Sequence, residues 1–204
     1  MSSRSVSREL ALLMLGQVND RVPPADLPLE SLLQQALSSL AQHAREALDN
    51  SELDLQQAQQ HLLESELIDG AEQMPRVRDL LQRGLTHAEQ ALNRLSASLE
   101  LPRLLMLADQ SEIREGAIAR TRAVLQERDV LDSRLDGVME GWRLGRLPRI
   151  DRDILRLAAV DLHTFGTPAP VACNEAVELA NRYSDEQGRR MINGILRRLT
   201  TSVS

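Results

Sequence analysis

The chain has 204 residues, 42% of them hydrophobic, enough for one sizeable domain or a small domain carrying a large insertion. Its formal charge of -6 excludes a nucleic-acid binder that works by overall basicity, so any such contact must come from a local patch. A single cysteine, Cys173, excludes an internal disulfide and fits a reducing compartment. No apolar run reaches membrane-spanning length and no signal-peptide layout is present, so the expectation is a cytoplasmic protein.

Trp142, Phe165 and Tyr183 are the only aromatic residues, which leaves Leu, Ala, Ile, Val and Met to fill the interior. That composition favours an all-α fold. The first helix is expected over Arg4 to Val18, with Val6, Leu10 and Leu13 at helical spacing and Leu12, Met14 and Leu15 widening the apolar face. Pro23, Pro24 and Pro28 then make a loop. Residues 26–110 read as further helices. A stripe of Leu29, Leu32, Leu33, Leu37, Leu40, Ala44 and Leu48 is broken at Asn50-Ser51, where Ser51 caps a second helix bearing Leu55, Ala58, Leu62 and Leu63. Asp69-Gly70 and Pro75 end it. A long helix follows with Val77, Leu80, Leu81, Ala88, Leu92, Leu95 and Leu99 inward, and Pro102 ends or kinks it. From Asp20 to Glu72 the chain carries eleven Asp or Glu against Arg21 and Arg45.

Beyond Ser111, itself a cap, one helix holds Ile113, Ala117, Val124 and Leu125, and another runs from Val130 through Leu131, Leu135 and Val138 to Trp142. Gly145 and Pro148 mark a loop. Ile150, Ile154, Leu155, Ala158 and Leu162 share a face that ends at Phe165, and Gly166 to Pro170 is a clear break. Val171 to Tyr183 is helical. Ser184 with Gln187 forms a capping box for a last helix with Met191, Ile192, Ile195, Leu196 and Leu199 inward. No strand pattern competes.

Chemistry-bearing residues are few. Arg149, Arg152 and Arg156 share a helical face able to follow a phosphate ribbon, or simply a solvated face paired with Asp153 and Asp161. Asn174 and Glu175 read as a helix start, Gly194 as a close helix approach, and Asn193 as a bond across helices. Asp151, Asp153, Glu175 and Glu178 lack His partners at ligand spacing, so no metal is expected. Cys173 has no triad-like context and reads as a small buried hydrophobe, and no Gly-rich phosphate loop exists, so no cofactor is expected.

Three blocks carry a resemblance: Trp142-Arg-Leu-Gly-Arg-Leu-Pro-Arg-Ile-Asp-Arg-Asp-Ile-Leu-Arg-Leu-Ala158, Pro170-Val-Ala-Cys-Asn-Glu-Ala-Val-Glu-Leu-Ala180, and Ile192-Asn-Gly-Ile-Leu196. In this order and spacing, with Ser7 to Ala11 at the start, they resemble the NusB family. Segments 1–19 and 111–200 carry the likeness; residues 26–110 read as a helical expansion of the family's compact form. The resemblance implies one all-α domain of two packed helical sub-bundles. It implies an RNA-binding transcription antitermination factor that binds boxA RNA of ribosomal RNA leaders together with NusE, a small-subunit ribosomal protein, within the transcription elongation complex. It implies no catalysis and no cofactor. Carried over by position, Arg4, Arg8, Arg156, Arg190 and Met191 face RNA, and Asp151, Ser184, Glu186 and Gln187 face the partner protein. Ser5 and Val6 stand where the family often has Arg, Gly16 where a Tyr is common, and Met191 where a Phe is common. The lost rings remove stacking worth about 1–3 kcal/mol per base. The alternative is therefore a helical interaction scaffold with weakened or lost RNA recognition. An RNA methyltransferase, to which NusB-like domains are fused elsewhere, is not expected, because no segment remains for a cofactor-binding sheet.

Overall fold

The computed structural model describes residues 3–19, 23, 27–98 and 100–201. Among them regular structure is entirely helical: α1 (Ser3–Gln17), α2 (Leu29–Glu66), α3 (Met74–Ser98), α4 (Glu100–Ala108), α5 (Ser111–Gln126), α6 (Arg128–Val138), α7 (Arg149–His163), α8 (Ala169–Tyr183) and α9 (Glu186–Thr201), with short 3-10 turns at Ala71–Gln73 and Leu144–Arg146. The chain divides into two compact units, residues 1–36 with 107–204, and residues 37–106.

In the first unit α7 is the central element. It packs against α1, α5, α6, α8 and α9, and Asp151 together with every residue from Asp153 to Asp161 is buried. Helix α1 contributes Val6, Leu10, Ala11 and Met14, all without exposure, against Ile113 and Ala117 of α5 and Ile154, Leu155 and Ala159 of α7. Helix α9 closes the bundle with Ile192, Ile195, Leu196 and Leu199. Its period-3.6 apolar stripe is why it forms there. Gly166 adopts φ +59, the left-handed region that glycine enters without strain, and turns the chain out of α7 before α8 opens at Ala169 with Pro170 in its first turn.

Three expected boundaries shift here. The last helix is capped by Asp185, not Ser184: Asp185 Oδ1 accepts from Gly188 N–H at 2.7 Å. Trp142 lies beyond the end of α6 and is 53% exposed rather than inward. Ser111 is the first helical residue of α5 and does not cap it.

The second unit departs further from the sequence expectation. Asn50 and Ser51 do not break the helix, because the Ser51 hydroxyl donates back to the Ala47 carbonyl at 2.6 Å and α2 runs on to Glu66. Gly70, at φ +106, makes the turn toward α3. The seam between α2 and α3 is lined by small and polar residues. A Cβ on Gly84 would lie 3.3 Å from the Ala58 carbonyl oxygen, the His61 and His87 rings stack at 5.6 Å, and Arg94 Nε reaches Asp54 at 2.8 Å. Ser51, Asp54, Ala91 and Ser98 are buried, whereas Leu48, Leu55, Leu62, Leu63, Leu81 and Leu92, read as inward, are 40–64% exposed. Small side chains let the two backbones approach, and the leucines flank that seam rather than fill it.

The tightest approach in the first unit is at Gly116 on α5. A Cβ there would lie 2.6 Å from Ser7 Oγ and 3.2 Å from Ser7 Cβ on α1. Gly116→Ala gains about 1 kcal/mol of helix propensity but overpacks a contact at a cost of about 1–3 kcal/mol. The expected result is a lower urea midpoint by circular dichroism. In a Ser7→Gly background the same substitution is expected to be stabilising instead.

Candidate functional site

Helix α1 carries Arg4, Ser5, Arg8 and Glu9 along its first two turns, and each has a different fate. Arg4 is exposed. Arg8, 3% exposed, donates from Nε to Asp161 Oδ2 on α7 and lies 3.8 Å from Glu175 on α8. Arg120 of α5 donates to the other oxygen of Asp161 at 3.0 Å and to the Gly116 carbonyl at 3.1 Å, and stacks over Phe165 at 4.8 Å. Burial pushes the Arg120 guanidinium down from its usual value and Asp161 pulls it back. Ser5 donates to Glu175 at 2.8 Å. Glu9, fully buried, accepts from Arg182 at 2.6 Å and from the Tyr183 hydroxyl at 2.7 Å. Burial first, then the charge on Glu9, pushes the Tyr183 phenol well above its ordinary range.

On the arginine face of α7 Arg156 is buried, whereas Arg149 stays part-exposed and pairs with Asp153 at 3.6 Å, as read. Arg149 donates to the Leu15 and Val18 carbonyls at 2.8 and 2.6 Å, satisfying the C-terminal end of α1. Arg156 makes a bidentate contact to Asp132 at 2.7 and 2.8 Å and a third to Asp153 at 3.0 Å. Burial raises the Asp153 carboxyl from its usual value against the pull of Arg156. Asp161, read as a partner of this face, pairs with Arg8 and Arg120 instead.

Of the residues assigned to RNA, Arg8 and Arg156 are 3% and 5% exposed, and with their donors on carboxylates they hold helices together. Arg4 and Arg190 are exposed, and Met191 is half-buried. Arg190 pairs with exposed Glu186 one turn away, a surface bridge worth about 0–1 kcal/mol and easily given up. Gly194 makes no close approach, since a Cβ there would meet nothing, and Asn193 is exposed rather than bonded across helices. Arg190, Asn193 and Arg197 thus present a polar outer face on α9 that the sequence reading did not collect.

The residues assigned to a partner protein come together. Asp151 is 2% exposed, and its Oδ1 has no hydrogen-bond partner. It lies beside the turn into α9: a Cβ on Gly188 would sit 2.1 Å from Ser184 Oγ and 2.9 Å from Asp151 Oδ2. Glu186 and Gln187 project from that turn into solvent. Cys173 is half-buried, and burial pushes its thiol up, away from nucleophilic reactivity.

The NusB family model matches residues 77–201. The transcription antitermination protein NusB of Synechococcus elongatus is 45% identical over 202 residues, covering 98% of this chain and 94% of that one. The protein of the same name from Gloeobacter violaceus is 42% identical over 201 residues, with 98% and 94% covered, and that from Synechocystis sp. is 40% identical, with 97% and 90% covered. These alignments run through residues 26–110, so that segment is shared with these relatives, and the family match begins within it. A solved structure of T. maritima NusB is 31% identical, covers 50% of this chain and 75% of its own, and superposes with a TM-score of 0.44.

Asp161 is the carboxylate shared by two buried guanidinium groups. Asp161→Ala takes the carboxylate from Arg120 and leaves Arg8 only Glu175 at 3.8 Å, and breaking such a pair costs about 3–5 kcal/mol. A loss of that size is expected in urea denaturation. For Arg8→Ala, any fall in RNA affinity is expected to follow the unfolded fraction rather than the salt concentration.

Proposed function

Because the chain belongs to the NusB family, we propose that it is a transcription antitermination factor that binds boxA-type single-stranded RNA of ribosomal RNA leaders together with NusE. The observation that carries this is similarity over nearly the whole length to relatives named transcription antitermination protein NusB. The site chemistry agrees with it. With a net charge of -6, RNA is held by individual exposed guanidinium groups, Arg4 on α1 and Arg190 with Arg197 on α9, Asn193 lying between the last two in sequence. Met191, half-buried beside Arg190, offers an apolar contact where a ring would stack. The partner docks at the turn into α9, where Glu186 and Gln187 project and Asp151 lies beneath them. Arg190 pairs with Glu186, so the RNA and partner surfaces adjoin, and docking of the partner frees a cation for RNA. In this reading residues 26–110 elaborate the bundle, and their acidic balance keeps RNA to the first unit.

A second reading, an interaction scaffold without RNA recognition, draws on the burial of Arg8 and Arg156. Titration of labelled boxA-type RNA and a scrambled RNA by fluorescence anisotropy, with and without NusE, separates the two. The expected outcome is tighter, sequence-selective binding when NusE is present. Arg4→Ala with Arg190→Ala is expected to weaken it and flatten the dependence on salt, by about 0.7 in log–log slope per lost phosphate contact on a single strand. Complex formation with NusE but no selectivity among RNAs decides for the scaffold.

A further inference from the structure

The second unit carries an apolar face that its own two long helices leave open. Along α2 the positions turned toward α3 recur at alternate spacings of three and four: Ala47, Ser51, Asp54, Ala58, His61 and Ser65 are buried or half-buried. Val77, Leu80, Gly84, His87 and Ala91 follow the same rhythm on α3. This is the seven-residue repeat of helices packed side by side. The helices run antiparallel, since His61 stacks on His87 while the earlier Asp54 meets the later Arg94. In an antiparallel pair, equivalent positions of the repeat lie on the same side. Leu48, Leu55 and Leu62 stand four residues after Ala44, Ser51 and Ala58, and Leu81 and Ala88 stand four after Val77 and Gly84. They therefore form one face, which Leu85 and Leu92 widen on α3. The leucines of this face are 40–67% exposed. The opposite side of the pair, one residue before the seam positions, bears Asn50, Gln57, Arg76, Arg83 and Gln90, all exposed. One side suits water and the other suits burial.

We propose that this face pairs two copies of the chain, the two helical hairpins closing into a four-helix bundle. Size and charge both point to a second copy. Helix α3 has 25 residues, about 37 Å of helix, and two helices side by side present a strip about 20 Å wide. The face is thus roughly 700 Å², against about 800 Å² per partner in a standard interface. Charge is divided between the helices. Residues 37–66 carry six Asp or Glu against one Arg, whereas α3 carries four Arg against two Asp or Glu. A face with one acidic and one basic half is complementary to its own copy under two-fold symmetry. In that arrangement α2 of one copy lies on α3 of the other, because α2 on α2 would set acid against acid. Glu66, one turn beyond Leu62, and Arg78, just before Leu81, are both exposed and flank the Gly70 turn. The arrangement brings Glu66 of each copy to Arg78 of the other.

Sedimentation equilibrium of the full chain is expected to give twice its 22.8 kDa at micromolar concentration. Leu85→Gln with Leu92→Gln places good helix formers at exposed positions. Circular dichroism is therefore expected to stay unchanged while the dimer dissociates, its Kd rising at least about a hundred-fold. Glu66→Arg and Arg78→Glu are each expected to weaken the dimer about ten-fold. An equimolar mixture of those two variants is expected to regain the parental affinity, because every facing pair is then of opposite sign. A monomer at every concentration reached overturns the proposal, as does a dimer that the leucine substitutions leave intact. A dimer that needs the leucines, but in which the mixture binds no better than either charge variant alone, overturns the placing of α2 on α3. If the chain stays monomeric and the leucine substitutions abolish complex formation with NusE instead, the face serves a different protein and the proposal fails.

Discussion

The first unit depends on one carboxylate. Asp161, within the central helix α7, is 2% exposed and is gripped from two directions by Arg8 of α1 and Arg120 of α5. Taking these charges out of water costs several kcal/mol per ion, recovered only when geometry and further hydrogen bonds are good. Here they are: Arg120 also bonds the Gly116 carbonyl and lies over Phe165, and Arg8 has Glu175 as a second counter-ion. The arrangement therefore fixes how α1, α5 and α7 meet in a way that interchangeable leucines do not. Gly116 against Ser7 sets the same α1–α5 spacing by contact alone, so electrostatics and sterics agree on one register.

This inward use of arginine shapes what is left for ligands. Arg8, Arg120 and Arg156 are buried on carboxylates, and Arg149 closes the end of α1. The cations left outward stand on an acidic protein and act locally. Such a surface lacks the overall basicity that binds nucleic acid without selectivity. In the proposed reading, the exposed Arg190–Glu186 pair beside the turn into α9 is where RNA and partner would meet.

Much of the fold was legible in the sequence, because the apolar period of α7 and α9 and the Gly166–Pro170 break act through local rules. The resemblance to the NusB family was legible too, through the blocks at 142–158, 170–180 and 192–196. What was not legible depended on tertiary choice. Ser51 carries the polar atom of a cap, but its hydroxyl turned back on its own helix. Leu55, Leu62 and Leu92 lie beside a seam of small residues that a count of leucines does not foresee. Arg8 and Arg156 match RNA-facing positions by residue type, yet type alone does not say whether a carboxylate waits across the helix interface. One clue was present: Asp161 sits in the apolar phase of α7, and a charge in that phase demands a buried counter-charge. The adjacency of Asp151 to the Ser184 turn was anticipated through the family likeness, whereas the cap on α9 fell one residue later, on Asp185.

Gly188 adds a constraint of a different kind. The space that its side chain would occupy is already filled by the Ser184 hydroxyl, with the Asp151 carboxylate behind it. Positions 184 and 188 thus form a single slot with two possible owners. As the family diverges, a side chain arriving at 188 fits only as the one at 184 withdraws, so the pair should drift as an exchange, large for small and small for large. The hydroxyl beside Asp151 would persist through such a swap while the helix that delivers it changes.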